Sequence, residues 1–453
     1  MNQNKKSASR KIVFGALACS FALSLPLLAS VAPSSTANTP LAVQSAYASG
    51  QPAIRIVGGG GANDSWTFKY ELVNADGYTV SAHFEGHGTE GRQLKLDTEK
   101  CLVEVTGEQT NPGYAYVVLT ATKDGNTISK KETVYLYGPS TARTKAHYNK
   151  MFSGLGGRTA EDTMRNIVEK AFPNPTDEAV LATSDGYWDA LGANALAGSM
   201  KAPVLLCHFG ELPQQTIEEL KRLNTKHVTI CGGEHAVSAA VEQQLNDMGI
   251  KTSRVYGESI SDTANEIAGR LGKSDTAFVA TSWGYQDALS AASYAYARQA
   301  PIFLTNYNTA RLDDSSIEVM KKKGVKQVYL IGGTAVVSPG VEAQLKKAGI
   351  AVERVAGDSA YDTSAQLAEK LISLGMSANN LAVATGYGYT DALAGAALCG
   401  THNSVLLLAD DSNQTAVDQV VAAHKDQIQH YYVLGGSSVI GLDVAYAFWK
   451  VFK

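Results

Sequence analysis

The chain has 453 residues, a formal net charge of −4, 45% hydrophobic side chains and five cysteines. That length suits several folded domains, and the composition is that of soluble globular chains. Mild acidity without a dense basic tract argues against a nucleic-acid partner, and no Cys-x-x-Cys pattern points to a metal site, so none is expected.

The N-terminus reads as a secretory signal over residues 1–48. Lys5, Lys6, Arg10 and Lys11 precede an apolar run from Ile12 to about Leu28. Small residues follow, with candidate cleavage points after Ala32 and after Ala48. A retained membrane anchor is the alternative, since the run is marginally long enough to span, although Ser residues and Pro26 interrupt it. Removal of residues 1–50, which hold four Lys or Arg and no Asp or Glu, leaves the remainder at −8.

Residues 49–64 read as a flexible linker ending in Gly58 to Gly61. From 65 to 138 the pattern has period two: Trp66–Val73, Tyr78–Phe84, Gln93–Asp97, Leu102–Thr106, Tyr114–Thr122 and Ile128–Leu136. Turns such as Ala75-Asp-Gly77 separate these runs, and about six or seven short strands predict a β-sandwich of immunoglobulin-like type. A connector over 139–150 leads on.

Beyond it one phrase occurs three times. Thr183-Ser-Asp-Gly-Tyr-Trp-Asp-Ala-Leu191 returns as Thr281–Leu289 and as Thr385–Leu393. Asp162-Thr163, Asp262-Thr263 and Asp362-Thr363 keep step with it, as do Gly232-Gly233, Gly332-Gly333 and Gly435-Gly436. A period of about 100 residues exceeds that of solenoid units and allows each copy to be a small α/β domain. The copies are read as 151–253, 254–353 and 354–453.

In the second copy, Asp262–Leu271 is an amphipathic helix with Asp262 as its expected N-cap. Thr276–Ala280 is a buried strand, and an Ala-rich helix runs from Leu289 to about Arg298. Pro301–Leu304 is a strand, Asp313 to about Lys323 a helix, and Gln327–Ile331 a strand ending at the Gly-Gly pair. Pro339–Ala348 is a helix and Val352–Val355 a strand. Apolar strands alternating with helices predict a parallel sheet covered on both faces, hence α/β repeats behind an all-β domain.

In such sheets ligands bind beyond the carboxyl ends of the strands. Both shared turns follow strands, so Gly232, Gly233, Gly332, Gly333, Gly435 and Gly436 lie at that edge. Asp189, Asp287 and Asp391 open helices, where they either meet a ligand or simply cap. Tyr187, Tyr285 and Tyr389 either stack on a sugar or pack between repeats. Cys207 and Cys231 both end strands and either pair or stay as buried thiols. Enzyme signatures fail: Gly386-Tyr-Gly388 meets Asp391 where a dinucleotide fold needs glycine, and Gly272-Lys273-Ser274 ends a helix where a phosphate loop opens one. No cofactor is expected.

Taken together, the Asp-Thr helix start, the Asp-Ala-Leu phrase, the Ala-Pro strands at Ala202 and Ala300, and the turns Gly232–Ser238 and Gly332–Ser338 resemble the cell wall-binding repeat 2 family. The resemblance covers about residues 151–453 in three copies. It implies Toprim-like modules in a pseudo-threefold arrangement that hold a secreted protein non-covalently on the anionic polysaccharide of a Gram-positive wall. The other domain would then supply the specific activity. Two features depart from the pattern. Ala160, Ile260 and Ala360 stand where the family often has arginine, leaving Arg254 and Arg354 as the cationic candidates for an anionic polymer. Asn403-Ser404 replaces Ala-Pro in the third copy. Two other readings stay open: an adhesin for host glycan or protein, and a secreted α/β enzyme using Asp185 and Asp189 with Mg²⁺.

Overall fold

The computed structural model describes residues 51–62, 65–85, 92–106, 113–136, 152–309, 311–436, 439–441, 444, 447, 448 and 451. The signal segment and both cleavage points lie outside these residues. No helix among the described residues is long and apolar enough to cross a membrane.

Seven antiparallel strands come first: β1 (Ala53–Ala62), β2 (Ser65–Val73), β3 (Thr79–Glu85), β4 (Gln93–Asp97), β5 (Leu102–Thr106), β6 (Gly113–Lys123) and β7 (Asn126–Leu136). They form two sheets, ordered β1-β2-β5-β4 and β3-β6-β7. Phe68, Tyr70, Val103 and Val105 from one sheet and Val117, Leu119 and Val134 from the other share one hydrophobic cluster. Alternation along each strand produces this, because successive side chains point to opposite faces. The expected linker is corrected here: residues 53–62 are a strand paired with β2 from Ala53↔Val73 to Ala62↔Ser65. A ladder needs only backbone groups, so the glycines of the run join it while Ile54 anchors it in the core.

The three copies begin at β8 (Phe152–Gly154). The first has α1 (Ala160–Ala171), β9 (Glu178–Thr183), α2 (Ala193–Met200), β10 (Val204–Cys207), α3 (Gln214–Arg222), β11 (His227–Cys231) and α4 (Ala239–Asp247). The second has β12 (Lys251–Val255), α5 (Ile260–Arg270), β13 (Thr276–Ala280), α6 (Gln286–Arg298), β14 (Ile302–Leu304), α7 (Asp314–Lys323), β15 (Gln327–Ile331) and α8 (Pro339–Lys347). The third has β16 (Ala351–Val355), α9 (Ala360–Ser373), β17 (Ser377–Ala384), α10 (Thr390–Thr401), β18 (Ser404–Leu408), a π-turn (Val417–Val421) running into the short α11 (Ala422–His424), and β19 (His430–Leu434).

Each copy builds a four-stranded parallel sheet: β10-β9-β11-β12, β14-β13-β15-β16 and β18-β17-β19-β8. The fourth strand of the first two sheets is the opening strand of the following copy. The third sheet is closed by β8, the opening strand of the first copy, through Tyr431↔Phe152, Tyr432↔Ser153 and Val433↔Gly154. Each copy is therefore incomplete without its neighbour's strand.

The N-caps also differ from expectation. Thr159, Ser259 and Ser359 cap α1, α5 and α9, each accepting from the backbone N–H of Asp162, Asp262 or Asp362. The aspartates sit three residues on, and the Ser259 and Ser359 hydroxyls donate to the Asp262 and Asp362 carboxylates at 2.7 Å.

The Ala-rich helices α2, α6 and α10 meet one another at close range. A Cβ on Gly198 of α2 would lie 2.0 Å from the Tyr296 carbonyl oxygen of α6, and one on Gly400 of α10 would lie 2.5 Å from the Tyr296 ring. Asn194 Nδ2 of α2 donates to the Leu393 carbonyl of α10 at 3.0 Å. Gly198→Ala must push α2 off a backbone atom, so it is expected to cost about 1–3 kcal/mol and lower the thermal unfolding midpoint. A calorimetric scan of the variant checks this.

Candidate functional site

All three sheets are parallel, so the loops after their strands gather at the carboxyl edge of each. In every copy the first glycine of the Gly-Gly turn has positive φ: +112° at Gly232, +107° at Gly332 and +123° at Gly435. A side chain there would also strike the shared aspartate. The would-be Cβ lies 2.9 Å from Asp189 Oδ2, 2.5 Å from Asp287 Oδ2 and 2.8 Å from Asp391 Oδ2 respectively. Glycine is thus required twice over, by backbone conformation and by close approach.

The aspartates face inward. Burial raises the Asp189 carboxyl, and the hydroxyl of Thr263 in the next copy, bonded to it, opposes that rise. Thr263 Oγ1 also accepts from the Gly257 N–H at 3.0 Å, and Thr163 and Thr363 repeat the contact with Gly157 and Gly357. Burial pushes Asp287 up to about 6. Asp391 is pushed up to about 7 by burial and by the Glu161 carboxylate of the first copy. None of the three makes a side-chain cap: α2 and α6 begin after Gly192 and Tyr285, and α10 after Tyr389, with no such bond. The aspartates instead lie packed against the Gly-Gly turns, and Asp189 bonds across to the next copy through Thr263.

The tyrosines converge. Ring centroids of Tyr187 and Tyr285 are 5.3 Å apart, of Tyr285 and Tyr389 5.8 Å, and of Tyr187 and Tyr389 6.2 Å. Tyr389 donates to the Thr183 carbonyl at 3.1 Å, and Gln286 Nε2 to the Gly386 carbonyl, so the shared loops are bonded copy to copy. Of the two readings for these tyrosines, packing between repeats is what the rings do.

Arg254 and Arg354 each bolt the Gly-Gly turn of the preceding copy. Arg254 Nη1 donates to the Gly232 and Val237 carbonyls at 2.9 and 2.8 Å, and Nη2 to Glu242 at 2.9 Å, with 11% of the side chain exposed. Arg354 Nη1 donates to the Gly332 carbonyl at 2.8 Å. Both guanidinium groups are thus turned inward onto the turns. Gly154 in the first copy has no side chain to do the same. Gly233 and Gly333 follow the bolted positions, Gly436 follows the unbolted Gly435, and Tyr256 lies across Gly233. Cys207 and Cys231 are free and buried, both pushed up to about 12 by burial, so the unpaired reading holds.

Asp185 accepts from the Phe209 N–H at 2.7 Å and bonds His208 Nδ1 at 3.0 Å. Ser184 approaches the same Nδ1 at 3.2 Å. Serine and carboxylate share one ring nitrogen, so the trio is not a proton relay, which needs both. It ties two loops together.

The large hydrophobic side chains that face outward are mostly aromatic. Trp188, Phe209, Tyr256, Trp283, Tyr307, Tyr387 and Val439 are the exposed large hydrophobics among the described residues, from 40% to 75% exposed. Every one follows a strand of a parallel sheet, so all lie on the carboxyl edges. Trp188 packs on Tyr187 at 5.1 Å, and Trp283 lies edge-on to Tyr307 at 6.2 Å with its Nε1 donating to the Tyr307 carbonyl. The exposed Arg158 and Arg311 occupy loops on the same edges. The repeat pattern reveals these aromatics only in part: Trp283 aligns with Tyr387 and Phe209 with Tyr307, but Asp185 stands at the first of these positions in the first copy, and Trp188 aligns with Gln286 and Thr390. The signal that does mark them in sequence is a large aromatic inside a polar loop directly after a buried strand.

The model of cell wall binding domain 2 (CWB2) matches residues 155–242, 254–342 and 354–445. The chain belongs to the CWB2 family. Curated relatives from Bacillus subtilis (strain 168) include N-acetylmuramoyl-L-alanine amidase LytC, 28% identical over 64% of this chain and 56% of the relative. They also include an amidase enhancer, 30% identical over 64% and 39%. The chain spans about half the length of these relatives. Among solved structures, Cwp8 from Clostridium difficile is similar at TM-score 0.62 and 24% identity, covering 83% of this chain and 63% of that one. Cwp6 from the same organism is similar at 0.58 and 19%, covering 86% and 68%. These likenesses support a CWB2 fold in a cell wall-associated surface protein, with the three matched segments falling on the three parallel sheets.

Proposed function

We propose that the protein is secreted and held non-covalently on a Gram-positive cell wall by its three CWB2 repeats, which bind anionic wall polysaccharide and leave the N-terminal domain displayed. The observation that carries this reading is the row of exposed aromatics along the carboxyl edges. A saccharide offers an apolar ring face with a polar rim, and half-exposed Trp and Tyr rings match it at low entropy cost. Arg158 and Arg311 supply charge for acidic groups on the polymer. Tyr187, Asp189, Tyr285, Asp287, Tyr389 and Asp391 act behind this surface by fixing the copies against one another.

The repeats read as Toprim-like modules about a pseudo-threefold axis. Support comes from the tyrosine triangle, from the three matching Asp and Gly contacts, and from the circular exchange of fourth strands. The N-terminal domain reads as immunoglobulin-like, since orders 1-2-5-4 and 3-6-7 correspond to the ABED and CFG sheets of the constant type. Its ligand would give the protein its particular role. The enzyme reading loses ground because Asp189 is buried and bonded to Thr263, and Asp185 is bonded to Phe209 and His208. Co-sedimentation of the full chain with purified wall sacculi, free of other proteins, tests anchoring against the adhesin alternative.

A further inference from the structure

At the opposite, amino-terminal edge of the second sheet lies a cavity of about 560 Å³ whose lining includes Lys273, Asp275, Tyr294, Arg298, Lys323 and Lys326. That volume falls in the range of small-ligand sites, roughly 300–1,000 Å³. Four cations face it against one carboxylate, in a chain that is acidic as a whole.

The fold does not demand this concentration of charge. Through the strand registers, Lys273, Arg298, Lys323 and Lys326 correspond to Pro175, Met200, Leu223 and Lys226 in the first copy. In the third they correspond to Ser377, His402, Asp426 and Gln429. The same scaffold closes with one Lys in the first copy and with neither Lys nor Arg in the third. Lys323 does serve the fold, since its Nζ donates to the Gly269 carbonyl at 2.7 Å and to that of Leu271, at the end of α5. Its ammonium is held below its usual range by burial and by Lys322. Arg298 Nη2 donates to the Gly375 carbonyl at 3.2 Å, which sets the guanidinium across to the third copy. Lys273 and Lys326 are exposed at the rim.

We propose that this cavity binds a phosphate-bearing group, a phosphorylated sugar or a phosphodiester unit, with Lys273, Lys326 and Arg298 around the phosphate. An excess of cationic donors over the single carboxylate suits an anion, and a guanidinium with two ammonium groups suits one of higher charge than a carboxylate. Asp275 would repel the phosphate but accepts from sugar hydroxyls, so it favours a ligand with a hydroxylated end. The site is separate from the aromatic edges and does not rest on wall anchoring.

Calorimetric titration of the full chain with glucose 1-phosphate, inorganic phosphate and glucose tests it, beside the double variant Lys273→Ala/Lys326→Ala. Both side chains are exposed, so the variant should keep its unfolding midpoint. The expected result is that both phosphate probes bind, glucose does not, and the variant binds at least tenfold more weakly. Tighter binding of glucose 1-phosphate points to a phosphorylated glycan as the source, and equal binding to a free phosphate group; both support the site. No heat with either phosphate probe, or equal affinity in the variant, overturns it. Wall co-sedimentation of the same variant, run in parallel, separates this failure from failure of anchoring.

Discussion

Trp283→Ala and Trp188→Ala should each weaken wall binding about tenfold, roughly 1.4 kcal/mol, and should lower thermal stability little. Both rings are about half exposed, at 54% and 48%, so truncation opens no core cavity. Binding energy at such surfaces concentrates in a few aromatic anchors, with Trp and Tyr foremost. The two residues lie in different copies, so their effects should add unless one glycan chain spans both loops. Binding isotherms on purified wall material check this. Unchanged affinity in both variants would remove the aromatic edge as the contact surface and return attention to the charged groups.

The second large effect concerns pH. Asp391 is raised from an ordinary value of 3.8 to about 7. The folded protein therefore holds a proton that the unfolded chain releases, over the window from about pH 4 to pH 7. Stability then falls as pH rises through that window and levels off above it. At about 1.4 kcal/mol per pH unit of displacement, the contribution is on the order of 4 kcal/mol. Asp287, raised to about 6, adds in the same direction. Asp185 and Glu242 lie below their usual values, so they act oppositely. The comparison that isolates the joint is wild type against Asp391→Asn by denaturant unfolding from pH 4.5 to 8. The variant should gain stability at pH 8 and show a flatter profile. Parallel profiles would mean that Asp391 is ionised in the folded protein at neutral pH.

The period of the repeats and the strands themselves are legible in the sequence because they rest on local patterns. Gln93–Asp97, Leu102–Thr106, Thr276–Ala280 and Gln327–Ile331 fall where alternation or apolar runs place them. The capping residue is ambiguous because Asp262 and Ser259 both suit an N-cap, and only the extended φ of −134° at Ser259 decides. Strand β1 is hidden because a glycine run carries no side-chain pattern, while its pairing depends on β2. The roles of Arg254 and Arg354 are concealed for a different reason. A cation in a strand reads the same whether it turns outward or, as here, back onto the carbonyls of a neighbouring turn. The exchange of β8, β12 and β16 between copies is a long-range pairing with no local mark. The aromatic edge only partly survives a comparison of repeats, since Trp283 and Tyr387 share a position that holds Asp185 in the first copy, while Trp188 aligns with Gln286 and Thr390.

The most direct measurement is co-sedimentation of the full chain with purified Gram-positive sacculi, before and after acid stripping of their attached anionic polymers. Anchoring by the repeats predicts binding to intact sacculi that is lost on stripping and restored in proportion to polymer content. Absence of binding to intact sacculi, or equal binding after stripping, would contradict it.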